Sequence, residues 1–509
     1  MTSESVDVLV VGAGISGIGA AYHLQTLCPD RSFAIVEARD DLGGTWDLFR
    51  YPGVRSDSDM HTLGYSFRPW TNPKAIAEGP TILSYLRETV REHGIDRKIR
   101  FGHQVLRADW SSADASWSVQ VRRKRDASTV VIRCSFLFMC SGYYDYEAGY
   151  RPHFPGEDSF TGRIVHPQQW PEDLDCRGKR IVVIGSGATA VTLVPALAEQ
   201  AAQVTMLQRS PTWMVARPSV DPVATRLRRR LPLKLALGLT RWKNILLGMY
   251  VFRLCKRQPE KMRALLLGGV RKALGPDADV ATHFTPRYNP WEQRLCLVPD
   301  GDFFEAVKGG RASVVTGEIE SFTATGVRLR SGATLAADIV VSATGLKLAM
   351  LGNAELHVDG HRVEPSRTVN YKGLMYSGVP NMANTFGYTN ASWTLKADLT
   401  ARFVCRLLNH MKKTGARYCV PPAAGADMPL VPWVDFSSGY FQRAVHLLPK
   451  QGVVTPWKLN QNYLSDVMAM RFGAVDDGIL EFHTGAERSP LPAATEAIAQ
   501  RSPADADIR

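Results

Sequence analysis

The chain of 509 residues is too long for one compact core and leaves room for roughly two to four domains. Hydrophobic residues at 45% and charged residues at 22% match a soluble globular protein, which excludes a disordered chain, a collagen-like repeat and a coiled coil. The net charge is +12, of which +10 falls in residues 221–280, where 14 Lys and Arg face 4 Asp and Glu, so the basic character is local and does not point to nucleic acid.

The N-terminal segment MTSESVDVLVVG runs into a strand without a basic region or a cleavage site, so no targeting segment is expected. The eight cysteines are scattered with no CxxC, which argues against a disulfide scaffold or a cysteine zinc site and for the reducing cytoplasm. Asp7–Leu24, DVLVVGAGISGIGAAYHL, reads as a buried strand, a glycine turn and an apolar helix. Gly12, Gly14 and Gly17 leave room for the turn, a pyrophosphate and helix packing, with Ser16 beside them. Glu37 closes the next strand, SFAIVEA, 20 residues after Gly17; a carboxylate there accepts from ribose hydroxyls and repels a 2′-phosphate. A second glycine loop, with Gly44, Thr45 and Trp46, suits FAD better than a nicotinamide dinucleotide. Arg55, Asp57 and Val105 complete the expected contacts of this first site.

Lys179–Leu197, KRIVVIGSGATAVTLVPAL, repeats the motif, its first glycine 173 residues after Gly12. Gly185, Ser186, Gly187, Thr189 and Ala190 form its turn, and Arg209 with Ser210 stand where the acid would be. A cation and a hydroxyl favour a 2′-phosphate and so NADPH; the alternative is a surface cation and NADH. The fold class that follows is α/β, with two Rossmann-like dinucleotide-binding domains (FAD and NADPH) and a helical insertion. The expected order is FAD domain 1–145, linker 146–178, NADPH domain 179–215, helical insertion 216–280, NADPH domain 281–338, FAD domain 339–485 and a disordered Ala/Pro/Ser-rich tail 486–509. Two strands, FLFMCSG at 136–142 and IVVSATG at 339–345, end alike and read as crossings between domains. Leu231–Phe252 is the most lipid-like stretch, but Lys234, Arg241 and Lys243 argue against a membrane span. Leu231, Leu235, Leu239 and Trp242 recur at helical spacing beside Arg226, Arg228, Arg229 and Arg230. The plainer reading is a core-facing helix with a basic outer face; the sharper one is peripheral contact of 221–280 with an anionic membrane.

FAD and NADPH together imply hydride transfer followed by chemistry of reduced flavin. A disulfide reductase needs a redox cysteine pair, and no cysteine lies between Cys28 and Cys134, so the electron acceptor is O2 or a small molecule. There is no HExxH and no EF-hand loop, and no metal is needed.

The linker carries FTGRIVHPQQWP, in which Phe160, Gly162, His166 and Trp170 spell FxGxxxHxxxWP. On this motif the chain resembles the type I Baeyer–Villiger monooxygenases, from Val6 to about Phe482. YPGVRSD, WKN, YNPWEQRLCLVP, GYTNASWTLKADL and LNQNYL make it similar to the ethionamide-activating branch. The resemblance implies that Arg294 is the active-site arginine and Asp57 its carboxylate partner, the pair supporting a C4a-peroxyflavin. It implies oxygen insertion into ketones to give esters or lactones, and oxidation of thioethers and thioamides. A small apolar ketone or sulfur compound and O2 are then the partners, with no obligatory protein partner. His166 is expected to make an interdomain hydrogen bond and Trp170 to pack; Trp393 faces cofactor or substrate, or simply packs. Gln293 stands where many relatives carry a lysine, which leaves more phosphate recognition to Arg209 and Ser210. A heteroatom-only flavin monooxygenase acting on N or S, and an NADPH-sensing or membrane-docked flavoprotein whose oxidase activity is incidental, remain as alternatives.

Overall fold

The computed structural model describes residues 4–425 and 427–485; the tail expected at 486–509 lies outside them. The apolar run of the first motif forms the strand Glu4–Val11, whose Val8, Leu9, Val10 and Val11 are all buried. Burial on both faces is what a continuous apolar run requires of a parallel sheet. The strand pairs in parallel with Phe33–Val36 on one side and Thr129–Met139 on the other, at the heart of a nine-stranded sheet. His103–Ser111 and Ser116–Arg123 extend that sheet as an antiparallel meander with Thr129–Met139. The C-terminal half returns to the same sheet, where Met382–Asn384 pairs with Thr129–Met139 and Glu355–Val358 with His103–Ser111. The helix Trp393–Thr414 then packs on the helix Ile15–Leu27.

The second sheet has five parallel strands, in the order Ala312–Thr316, Gln203–Gln208, Arg180–Ile184, Ile339–Ser342 and Arg163–Val165. Its edge strand Arg163–Val165 comes from the FxGxxxHxxxWP segment, which is thereby hydrogen-bonded into the sheet. Ile339–Ser342 pairs on both sides, and the chain leaves this sheet after it.

Between the two halves lie the helices Pro222–Arg230, Leu233–Arg257 and Pro259–Leu274. Asp221 caps the first, its carboxylate accepting from the amides of Val223 (2.9 Å) and Ala224 (3.0 Å). Pro222 and Pro259 stand at helix starts, where a missing N–H costs nothing. One expectation is overturned here. Leu235, Leu239 and Trp242 do not face the core; they are exposed, and the packed face is Ala236, Leu237, Thr240 and Ile245. The helix is apolar on both sides, so periodicity alone could not choose the inward one.

Candidate active site

The first glycine turn is built by close approach. Gly12 has φ +104°, and a Cβ there would lie 2.7 Å from the carbonyl oxygen of Cys140. A Cβ on Gly17 would lie 1.8 Å from the carbonyl oxygen of Gly12, so the helix Ile15–Leu27 rests directly on the turn. Gly14 meets Gly44 of the second loop, where a Cβ would find the Gly44 Cα at 3.6 Å. No side chain caps the helix, which leaves its first N–H groups free for an anion. Glu37 is buried, and its Oε2 accepts from the Ala13 amide at 2.7 Å and its Oε1 from the Arg39 amide at 2.9 Å. Burial raises its carboxyl pKa, and those two bonds oppose the shift.

These groups open onto one cleft of about 560 Å³. Gly12, Gly14, Ser16, Glu37, Gly44, Thr45, Trp46 and Val105 line it from the first domain, Thr189 from the second. Arg55, Asp57 and Arg294 line it where the two halves meet. Arg294 Nη1 donates to Asp57 Oδ2 at 2.5 Å. Both side chains keep about a third of their surface, 31% and 37%, so the pair faces the cleft. The Asp57 charge drives the Arg294 pKa well above its ordinary value, against the cost of burial. Two residues before Asp57, Arg55 pairs with Asp302 on the helix Asp302–Lys308, tying this loop to the other half of the molecule.

Several further residues shape the site that were not among the expected contacts. Tyr143 and Tyr144 have their hydroxyls 3.0 Å apart, and burial raises the pKa of both. Tyr440 is shifted the same way by burial, and all three phenols act electrostatically on Arg294. Tyr51, pushed up to about 12 by burial, hydrogen-bonds Thr189 across the domain boundary. Arg39 grips Asp47 Oδ2 through Nε (3.0 Å) and Nη2 (2.6 Å) at the cleft rim. Tyr51 belongs to the YPGVRSD run, and Tyr143 and Tyr144 to SGYYDY at 141–146, following the strand Thr129–Met139; Tyr440 and Arg39 carry no such signal. Trp393 lines the cleft, donates from Nε1 to Ser16 Oγ at 2.7 Å and stacks on Tyr143 at 5.2 Å.

At the second turn a Cβ on Gly185 would lie 2.3 Å from the Ala343 carbonyl oxygen, whereas Gly187 has open space. Ser186 Oγ donates to the Ser210 carbonyl at 2.9 Å, and Ala190 is fully buried under the helix Ala188–Ala198. Arg209 and Ser210 are exposed just beyond the strand Gln203–Gln208. Neither lines the cleft, and Arg209 makes no ion pair among the described residues.

The FxGxxxHxxxWP residues stand apart from the Arg294–Asp57 pair. Phe160 is buried edge-on to Phe322, their ring centroids 5.9 Å apart. Gly162 has no room for a side chain, since a Cβ would meet the Asp338 carbonyl oxygen at 2.3 Å. His166 Nε2 lies 3.1 Å from the Gly345 carbonyl oxygen, and its Nδ1 accepts from the Gln168 amide at 3.2 Å. Burial lowers the His166 pKa, which favours the neutral ring with Nε2–H donating to Gly345. Trp170 packs, half-buried, against the core of the second sheet.

Residues 5–232 match the family model described as flavin-binding monooxygenase-like. The chain is 54% identical over 481 residues to the FAD-containing monooxygenase EthA of Mycobacterium tuberculosis (strain ATCC 25618 / H37Rv), covering 94% of this chain and 98% of that protein. It is 48% identical to the probable FAD-binding monooxygenase AlmA of Acinetobacter baylyi, covering 94% and 96%. Its fold is similar to that of an oxidised steroid monooxygenase bound to NADP, with a TM-score of 0.74, 23% identity, and 94% of this chain and all of that chain covered.

Proposed function

The chain belongs to the FAD-containing monooxygenases, and from that premise we propose that it is an FAD- and NADPH-dependent Baeyer–Villiger enzyme. It would insert one oxygen atom of O2 into small apolar ketones, giving esters or lactones, and oxidise sulfur in thioethers and thioamides. The observation that carries this reading is the Arg294–Asp57 pair, half-open in a cleft whose other end is built for a dinucleotide.

The residues fit FAD. Gly12 and Gly17 have no room for a side chain and Gly14 carries none to stand in the way, so a pyrophosphate can reach the free helix N–H groups. Glu37 is fixed by two amides and keeps lone pairs for ribose hydroxyls. In the second domain Arg209 and Ser210 would receive the 2′-phosphate of NADPH. When bound, FAD accepts two electrons from NADPH and transfers one oxygen atom of O2 to substrate, the other leaving as water.

The protein's part is positioning and charge. Arg294 cannot lose its proton at any working pH, so it supplies a fixed positive charge to negative charge developing on oxygen. The same guanidinium can polarise a ketone carbonyl. Asp57 holds its orientation through Nη1. Tyr143, Tyr144 and Tyr440 stay protonated around it and offer neutral hydroxyls, adding no competing charge. Trp393 and Tyr143 form a stacked apolar wall that keeps water from the reacting centre. His166 would couple movement of the two halves through its bond to Gly345. The eight free, buried thiols support a reducing, cytoplasmic setting.

The test is to incubate the holoenzyme with NADPH, ¹⁸O2 and a panel of ketones and thioethers, then analyse products by mass spectrometry. Esters bearing one ¹⁸O are expected. Labelled sulfoxides with no ester from any ketone would replace this reading with a heteroatom-only monooxygenase.

A further inference from the structure

The helix Leu233–Arg257 is about 37 Å long at 1.5 Å per residue, and its outward face is apolar. Leu235, Leu239, Trp242, Leu246 and Tyr250 follow one another at steps of three or four, which places them in one stripe. They are 51%, 44%, 45%, 49% and 63% exposed. The opposite face, with Ala236, Leu237, Thr240 and Ile245, is already packed on the protein. A helix that is apolar on its packed and its outer side has a second surface to bury. Trp242 also lies 6.0 Å, ring to ring, from Tyr463, which opens a segment exposing Met468 and Phe472 by 63% and 64%.

Charge identifies what covers the stripe. From Pro222 to Pro259 the chain holds ten Lys and Arg and no Asp or Glu. Three of the ten point inward. Arg228 donates to the carbonyls of Thr71 (2.6 Å) and Trp70 (3.1 Å), and Arg241 to those of His61 (2.9 Å) and Gly64 (2.8 Å). Lys243 pairs with Asp221, the one ion pair these ten make among the described residues. The other seven are exposed and flank the stripe, Arg226, Arg229, Arg230 and Lys234 before it, Arg253, Lys256 and Arg257 after it. Arg253 and Arg257 follow Tyr250 by three and seven residues, so they continue the stripe itself. A second copy of the chain, docked stripe to stripe about a two-fold axis, would bring like charges toward one another. The surface of an anionic bilayer meets both demands: apolar side chains enter the acyl boundary while the cations reach the headgroups.

We infer that this insertion docks the protein on anionic phospholipid, with Leu233–Arg257 lying in the plane of the interface. No helix among the described residues is long and apolar enough to cross a membrane. The inference is independent of the oxygenation chemistry, because none of the stripe residues lines the Arg294 cleft.

The experiment floats the FAD-loaded, full-length protein with vesicles of phosphatidylcholine alone and of phosphatidylcholine mixed with phosphatidylglycerol. The protein should float with the mixed vesicles and remain behind with the neutral ones. Leu235→Gln/Leu239→Gln/Leu246→Gln should lower partition by about tenfold or more, with flavin content, melting temperature and NADPH oxidation in vesicle-free buffer unchanged. Arg229→Glu/Arg230→Glu/Arg253→Glu should remove the preference for mixed vesicles, since each surface cation is worth about fivefold there. The inference is overturned if the unmodified protein does not float with mixed vesicles, or if the glutamine variant floats as well as the unmodified one. Light scattering that shows a dimer broken by the glutamine substitutions, with no flotation in any form, would assign the stripe to a second copy instead.

Discussion

Arg294 and Asp57 lie 237 residues apart in sequence and share one hydrogen bond in a cleft. The value of the pair rests on a charge that persists when negative charge appears beside it. Arg294→Ala should therefore lower kcat for ester formation by about 100- to 1,000-fold, the range found when an anion-stabilising donor is removed. Flavin content and the anaerobic rate of flavin reduction by NADPH should stay near normal, because the cofactor cradle is elsewhere. Stopped-flow absorbance and product assay together separate the two, and ester formation at the unmodified rate would refute the role. Glu37 makes a second residue-scale case. Its two oxygens each face a backbone N–H, so an amide at that position must turn its NH2 toward one of them. Glu37→Gln should lose about 1–3 kcal/mol at that contact, and flavin should be shed on gel filtration. Retention of stoichiometric FAD would show that the carboxylate is not needed.

At the scale of elements, the strand–turn–helix units were legible because their signals are local. Glycine at positions 12, 14 and 17 and an acid at 37 depend only on neighbours within one βαβ unit. Gly17→Ala would place a methyl 1.8 Å from the Gly12 carbonyl oxygen, so the helix must lift from the turn. An apo protein with a lowered melting temperature is expected, read by calorimetry and flavin absorbance. What could not be read locally is what distant segments assemble. Tyr440 reaches Arg294 from 146 residues further along the chain, and no periodicity announces it. For Leu233–Arg257 the sequence leaves the stripe open between the core and a membrane surface, because both faces of that helix are apolar. The helix Trp393–Thr414 hides a similar surprise: Lys396 is 1% exposed, with its Nζ 2.9 Å from Asp466 Oδ2, which also accepts from the Tyr388 hydroxyl at 2.6 Å. Burial lowers the Lys396 pKa, yet the Asp466 charge opposes that shift. Lys396→Met should cost about 3–5 kcal/mol, because it leaves a buried carboxylate with Tyr388 alone. Lys396→Met/Asp466→Asn should regain part of that in a urea titration, and equal losses in both variants would show that packing, not charge, is responsible.

Across the whole molecule, the chain crosses from the second sheet back to the first after Ile339–Ser342, and His166 stands beside that crossing. Its segment is hydrogen-bonded into the second sheet through Arg163–Val165, and its Nε2 reaches Gly345, three residues beyond the strand Ile339–Ser342, where the chain turns back toward the first sheet. A ring that accepts from the Gln168 amide at Nδ1 while Nε2 faces the Gly345 carbonyl must be uncharged, and burial lowers its pKa from 6.5, with the nearby Arg151 acting in the same direction. The unfolded chain binds a proton near 6.5 while the folded chain resists it to a lower pH. Stability from this group is thus complete above 6.5 and falls as pH drops through the lowered folded value. His61, also lowered by burial, contributes with the same sign. His166→Gln keeps an N–H donor for Gly345 but cannot titrate, so its melting temperature should fall less steeply than that of the unmodified protein as pH is lowered from neutral. His61→Gln should flatten the same window independently, because that ring lies under the insertion and far from Gly345 in sequence. Parallel melting curves for His166→Gln and the unmodified protein would mean that this ring exchanges no proton on unfolding. The joint would then be held by the Arg55–Asp302 pair and the Tyr51–Thr189 bond.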